Sequence, residues 1–176
     1  EYRPVGAFSF LGRYRVIDFP ISNMSNSGID HIQVYIRRNP QSLTAHLGTG
    51  RHYNINSKSG NLQILYSGLG MNMSLYNNDI ASYIESLEYI EQELAEYVVI
   101  APSYMVYTLL NDHIESGADI TLLYHSVDTA KEYFLNCYAL NLNKQKGVLS
   151  LEQNHGNAKN KNIFMDTYVM KKDLFI

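Results

Sequence analysis

Phe10-Leu-Gly-Arg-Tyr-Arg-Val-Ile-Asp-Phe-Pro-Ile-Ser-Asn-Met-Ser-Asn-Ser-Gly-Ile29 is the stretch whose reading decides the fold. It marks both ends of a short helix. Asp18 suits the N-cap, because its carboxylate can accept from the free N–H groups two or three residues on. Pro20 then falls in the first turn, where a missing N–H does no harm. Ile17, Ile21 and Met24 recur at helical spacing, so one face is buried. Gly28 suits the left-handed residue that follows a helix. His31-Ile-Gln-Val-Tyr-Ile36 reads as a strand. Helix, glycine stop and strand make half of a βαβ unit.

The same logic extends outward. Residues 37–40 form a turn, residues 41–47 a short helix, and Gly48-Thr-Gly50 ends it. Residues 62–66 read as a strand. Asn77-Asn78-Asp79 caps a longer helix whose buried stripe is Ile80, Ile84, Leu87, Ile90 and Leu94. Residues 97–101 are a continuous apolar run, as a strand covered on both faces requires. A helix over 105–116, stopped by Gly117, leads to a strand at 120–124. Residues 128–134 form a connection, and strands at 137–142, 148–151 and 163–170 surround a polar loop at 154–162. Repeated strand–helix–strand order predicts an α/β fold with a doubly wound, mostly parallel Rossmann-like sheet in one domain over 1–176.

Composition sets limits. With 176 residues, 45% hydrophobic and 18% charged, the chain suits a globular domain with a real core. A net charge of −3 argues against nucleic acid as a partner, which calls for a basic excess. No apolar run reaches the ~18–20 residues of a membrane helix. The single cysteine, Cys137, excludes a disulfide within the chain and fits a reducing cytoplasm. It sits in an apolar run, which predicts a buried, inert thiol. The pairs Gly48/Gly50 and Gly68/Gly70 lack a third glycine and a leading strand, so neither reads as a nucleotide loop. The six histidines show no metal-ligand spacing, and His113 reads as a partly buried structural residue. His125, Ser126 and Asp128 are neighbours in sequence, which does not make a hydrolase triad.

Gly12-Arg-Tyr-Arg-Val-Ile-Asp-Phe19, Ser22-Asn23 and Asn26-Ser-Gly-Ile29 together resemble the signature of glucose-1-phosphate adenylyltransferases, and Ala95-Glu-Tyr-Val-Val-Ile100 resembles a second segment of that family. The resemblance implies the sugar nucleotidyltransferase fold and a role in glycogen biosynthesis. It also implies a reaction that joins ATP and glucose 1-phosphate into ADP-glucose and pyrophosphate. The chain starts without Met and ends as a helix begins, so it reads as a piece of a longer protein. The family has a glycine-rich phosphate loop upstream, and the rest of the domain and a β-helix downstream.

Three positions depart from the family's pattern. The aspartate that holds Mg²⁺ in the family falls on Tyr104, in the loop after the strand at 97–101. Ligands bind at such strand ends in open α/β sheets, and a neutral phenol is a poor ligand for a hard cation. Family lysines fall on Val5, in Arg3-Pro-Val-Gly6, and on Gln153, in Glu152-Gln-Asn154. Loss of positive and metal-binding groups dismantles a site where phosphates must meet. No catalytic or metal residue is therefore assigned. Asn78, Asp79, Tyr104, Glu152 and Gln153 are candidates for a nucleotide or sugar-phosphate pocket, although Asn78-Asp79 also reads as a plain cap. Arg13, Arg15, Arg37 and Arg38 are candidates for an anionic effector, with surface ion pairing as the other reading.

The expected function is a catalytically degenerate, regulatory subunit of the adenylyltransferase. It would be cytoplasmic and assembled with a catalytic subunit as a hetero- or homo-oligomer, with ATP or a sugar phosphate as effector. The alternatives are an active nucleotidyltransferase with relocated metal ligands and an anion-effector-binding module.

Overall fold

The computed structural model describes residues 4–36, 40–48, 50–55, 60–66, 79–103 and 110–176, without the side chains of Arg51 and Asp79. The chain forms two compact units. One takes the described residues up to Ala95 together with Ser103 and Ile176, and the other takes Glu96–Pro102 and residues 110–175.

The first unit opens with the hairpin β1 (Ser9–Phe10) and β2 (Tyr14–Arg15). Helix α1 follows at Asp18–Asn26, with Ile17 as its N-cap. Asp18 lies in the first turn, but its carboxylate turns back to the Arg15 N–H instead of capping forward. The far end is as the glycine implied. Gly28 has φ +81°, Gly28 N–H donates to the Ser25 carbonyl at 3.0 Å, and Ile29 N–H donates to the Met24 carbonyl at 2.9 Å. Those two bonds satisfy carbonyls that a helix end leaves free.

Strand β3 (His31–Ile36), helix α2 (Pro40–Leu47) and strand β4 (Asn61–Tyr66) complete the crossover, and β3 and β4 pair in parallel, His31 opposite Asn61. Ile17, Ile21, Ile32, Leu43, Leu47 and Leu62 form the buried centre between helices and ladder. Gly50 has φ +78°, and a Cβ there would meet the Leu62 Cβ at 2.8 Å. Its glycine serves close packing, in line with the rejection of a nucleotide loop.

The predicted long helix is two short ones, α3 (Asp79–Glu85) and α4 (Leu87–Gln92), broken at Ser86. The Ser86 hydroxyl donates to the Ser82 carbonyl at 2.8 Å and lies 2.7 Å from the Tyr35 hydroxyl. Such back-bonding competes with the helix ladder. Ser82 and Ser86 are buried, Leu87 and Ile90 half-buried, and Ile80, Ile84 and Leu94 exposed. The expected stripe therefore does not hold: Ser82 and Ser86 take the inward positions, and the Ser86 hydroxyl is hydrogen-bonded there.

The second unit is a five-stranded sheet with two helices: β5 (Tyr97–Ile100), α5 (Leu110–Ser116), β6 (Ile120–Val127), β7 (Tyr138–Leu142), β8 (Val148–Gln153), β9 (Lys161–Lys171) and α6 (Lys172–Phe175). The α/β class stands. The expected share of parallel pairing is smaller, because β9 takes the central place and every ladder here is antiparallel. β5 and β6 both run against β9, so they share one direction with α5 on the crossover between them. Gly117 ends α5 with φ +63°. The pairing of β6 and β9 shifts between Leu122 and Tyr124, and Asp166 in the shifted part of β9 has φ +51°. That combination marks a β-bulge.

His113 is buried, with Nδ1 2.8 Å from the Thr121 hydroxyl and its ring edge-on to Tyr97. The structural reading of this histidine holds. Cys137 is exposed and precedes β7, contrary to the expected buried thiol. The apolar run that suggested burial belongs to β7, where Ala139 and Leu140 are buried. Among the described residues no helix is long and apolar enough to cross a membrane.

Candidate functional site

Val5 lies exposed in a 3₁₀ turn, Val5–Ala7. The next residue fixes where that turn sits. A Cβ on Gly6 would stand 3.0 Å from the Ser103 Cβ, so the turn packs closely on the residue before Tyr104. The turn that carries Val5 thus lies against Ser103 in the first unit. Tyr104 itself, Asn78, Arg37 and Arg38 lie outside the described residues, and Asp79 opens α3.

Glu152 and Gln153 close β8 in the second unit. Strand alternation sends their side chains to opposite faces. Glu152 accepts from the Lys161 ammonium, and that bond is the main cause of a carboxyl held below the usual range. Gln153 donates from Nε2 to the Asn136 carbonyl at 3.3 Å. Among the described residues no three His, Cys, Asp or Glu side chains gather as a metal site would require.

Arg13 is exposed. Arg15 is tied inward: its Nη1 donates to the Ser42 carbonyl at 2.6 Å and to the Ser42 hydroxyl at 2.8 Å. Its guanidinium therefore links β2 to α2.

A polar cluster that sequence reasoning missed centres on Asp18, which is 8% exposed. Its Oδ2 accepts from the Arg15 N–H at 2.8 Å, and its Oδ1 accepts from the Tyr53 hydroxyl at 2.6 Å and lies 2.7 Å from His46 Nε2. These partners tie α1 to α2 and to the short turn at Arg51–Tyr53. Burial pushes the Asp18 carboxyl up, but bonds from Tyr53, Arg15 and His46 outweigh it and hold the carboxyl below the usual range. Burial, then the Asp18 carboxylate, pushes the Tyr53 phenol well above its ordinary value.

The sign of the pH dependence follows. A depressed carboxyl contributes stability above its unfolded value of about 3.9 and loses it as pH falls through the folded value. A raised phenol contributes below its unfolded value of about 10 and loses that as pH rises toward the folded value. Denaturation midpoints across pH are expected to fall on both sides of that window. An Asp18→Asn variant is expected to show a weaker acid limb, measured by urea unfolding at each pH.

The model of the family described as "Nucleotidyl transferase" matches residues 3–134. The chain belongs to that family. It is 33% identical over 146 residues to the "Glycogen biosynthesis protein GlgD" of Geobacillus stearothermophilus, covering 77% of this chain and 41% of that protein. It is 28% identical over 171 residues to the "Glucose-1-phosphate adenylyltransferase" of Clostridioides difficile (strain 630), covering 93% of this chain and 43% of that one. The chain thus spans about two fifths of these relatives' length. Among solved structures, it is similar to a putative glucose-1-phosphate thymidylyltransferase from Bacillus anthracis, in complex with a sucrose. The TM-score is 0.70 at 11% identity, over 98% of this chain and 65% of that one. It is also similar to HddC from Yersinia pseudotuberculosis, with a TM-score of 0.67 at 12% identity, over 98% of this chain and 69% of that one. The sugar nucleotidyltransferase fold expected from the sequence is therefore the observed one.

Proposed function

We propose that this chain is part of a regulatory, catalytically degenerate subunit of a glucose-1-phosphate adenylyltransferase, acting in cytoplasmic glycogen biosynthesis. The likeness to GlgD and to adenylyltransferases supports the pathway. The single observation that carries the degenerate reading is the set of uncharged residues where the resemblance calls for an aspartate and two lysines: Tyr104, Val5 and Gln153. The neighbouring carboxylate, Glu152, is engaged by Lys161 and offers a metal little free charge.

Such a subunit acts on its partner through contact energy. It raises or tunes a catalytic subunit by binding two states of the assembly with different affinity. With glucose 1-phosphate, ATP and Mg²⁺, the purified full-length protein is expected to make no ADP-glucose above background. Added to a catalytic adenylyltransferase subunit, it is expected to change the rate or effector response severalfold, as a coupling of about 1–3 kcal/mol gives. Turnover by the pure protein, or a partner unaffected at saturation, contradicts the proposal.

A further inference from the structure

The second unit carries a recess that the proposed function does not use. It is an open hollow of about 470 Å³ where β6 ends and β9 begins, lined by Ser126, Val127, Asp128, Asn160, Lys161 and Asn162. The ladder ends at the pair Val127–Lys161, and Asp128 and Asn160 stand just beyond it. We propose that this recess is a binding site for a neutral sugar ring.

The lining chemistry selects that class. The Ser126 hydroxyl donates to Asn162 Oδ1 at 2.8 Å, which leaves the Asn162 amide protons as donors and the Ser126 oxygen as an acceptor. Asn160 adds a second carboxamide and Asp128 a carboxylate, both exposed. Sugar hydroxyls need donors and acceptors close together, which this mixture supplies. Ser126, Asp128, Asn160 and Asn162 recur at every second position, so their side chains share one face of the strand ends, while Val127 and Lys161 belong to the other. The Lys161 side chain is 9% exposed and its ammonium donates to Glu152, so its charge is already matched. Asp128 remains the uncompensated charge of the lining, and a phosphate ester therefore meets repulsion where a neutral ring does not. The volume lies within the range of small-molecule sites.

The test is a titration of the ¹⁵N-labelled full-length protein with D-glucose, maltose and glucose 1-phosphate, each to about 50 mM, followed by amide shifts. Both neutral sugars are expected to shift residues 126–128 and 160–162 with about millimolar affinity, and glucose 1-phosphate to bind there several-fold more weakly. Asn160→Ala, on the exposed rim, and Asn162→Leu are each expected to weaken glucose about tenfold, with the remaining amide spectrum unchanged. No shift at these residues, full affinity in Asn160→Ala, or preference for the phosphate ester overturns the proposal. The readout is independent of turnover, so it stands or falls apart from the regulatory reading.

Discussion

Asp18→Ala is expected to cost the chain about 2–4 kcal/mol of stability, the scale for stranding buried hydrogen-bond donors. The magnitude follows from what the substitution leaves behind. The Arg15 N–H, the Tyr53 hydroxyl and His46 all point at one carboxylate that is nearly out of solvent. Deleting it strands buried donors, and each unsatisfied group costs about 1–3 kcal/mol. Asp18→Asn keeps the shape but gives up the charge, and is expected to lose roughly half as much. Urea unfolding of both variants measures this. A loss below about 1 kcal/mol in Asp18→Ala contradicts the account of the cluster.

Asn154→Ala is expected to cost about 3 kcal/mol through a different mechanism. Asn154 is fully buried at the exit of β8. Its Nδ2 donates to the Ala130 carbonyl at 2.8 Å and the Phe134 carbonyl at 3.0 Å, and its Oδ1 accepts from the Gly156 N–H at 3.1 Å. Its backbone bonds Cys137 and Asn136, both at 2.8 Å. One side chain thus holds the connection between β6 and β7 against the strand end that presents Glu152 and Gln153. Phe134 and Asn136 sit at φ +60° and +65°, conformations that persist only when neighbours enforce them. Hydrogen exchange is expected to show lost protection at Asn136 and Gly156 together with the lower denaturation midpoint. Retained protection at both sites contradicts the clamp.

Local chemistry made much of the fold legible. The strand at His31–Ile36, the left-handed Gly28 after α1 and the stop at Gly117 each depend on a few adjacent residues, and each stands in the structure. What the sequence hid depends on distant partners. The placement of β9 between β5 and β6 rests on pairing Ile120 with Met170, fifty residues apart, which no local pattern encodes. The helix break at Ser86 depends on Tyr35, and the Asp18 cluster on His46 and Tyr53, 28 and 35 residues away. Asp18 looked like a cap because a cap and a buried hub use the same residue type. The candidate site was legible only through resemblance, since an absent charge leaves no local mark.

The proposed subunit keeps the nucleotidyl transferase fold and is proposed to lack the charged groups that join phosphates. Isothermal titration of the full-length protein with ATP, with and without Mg²⁺, tests that absence most directly. The account predicts no magnesium-dependent binding of ATP. Micromolar affinity that appears only with Mg²⁺ would contradict it.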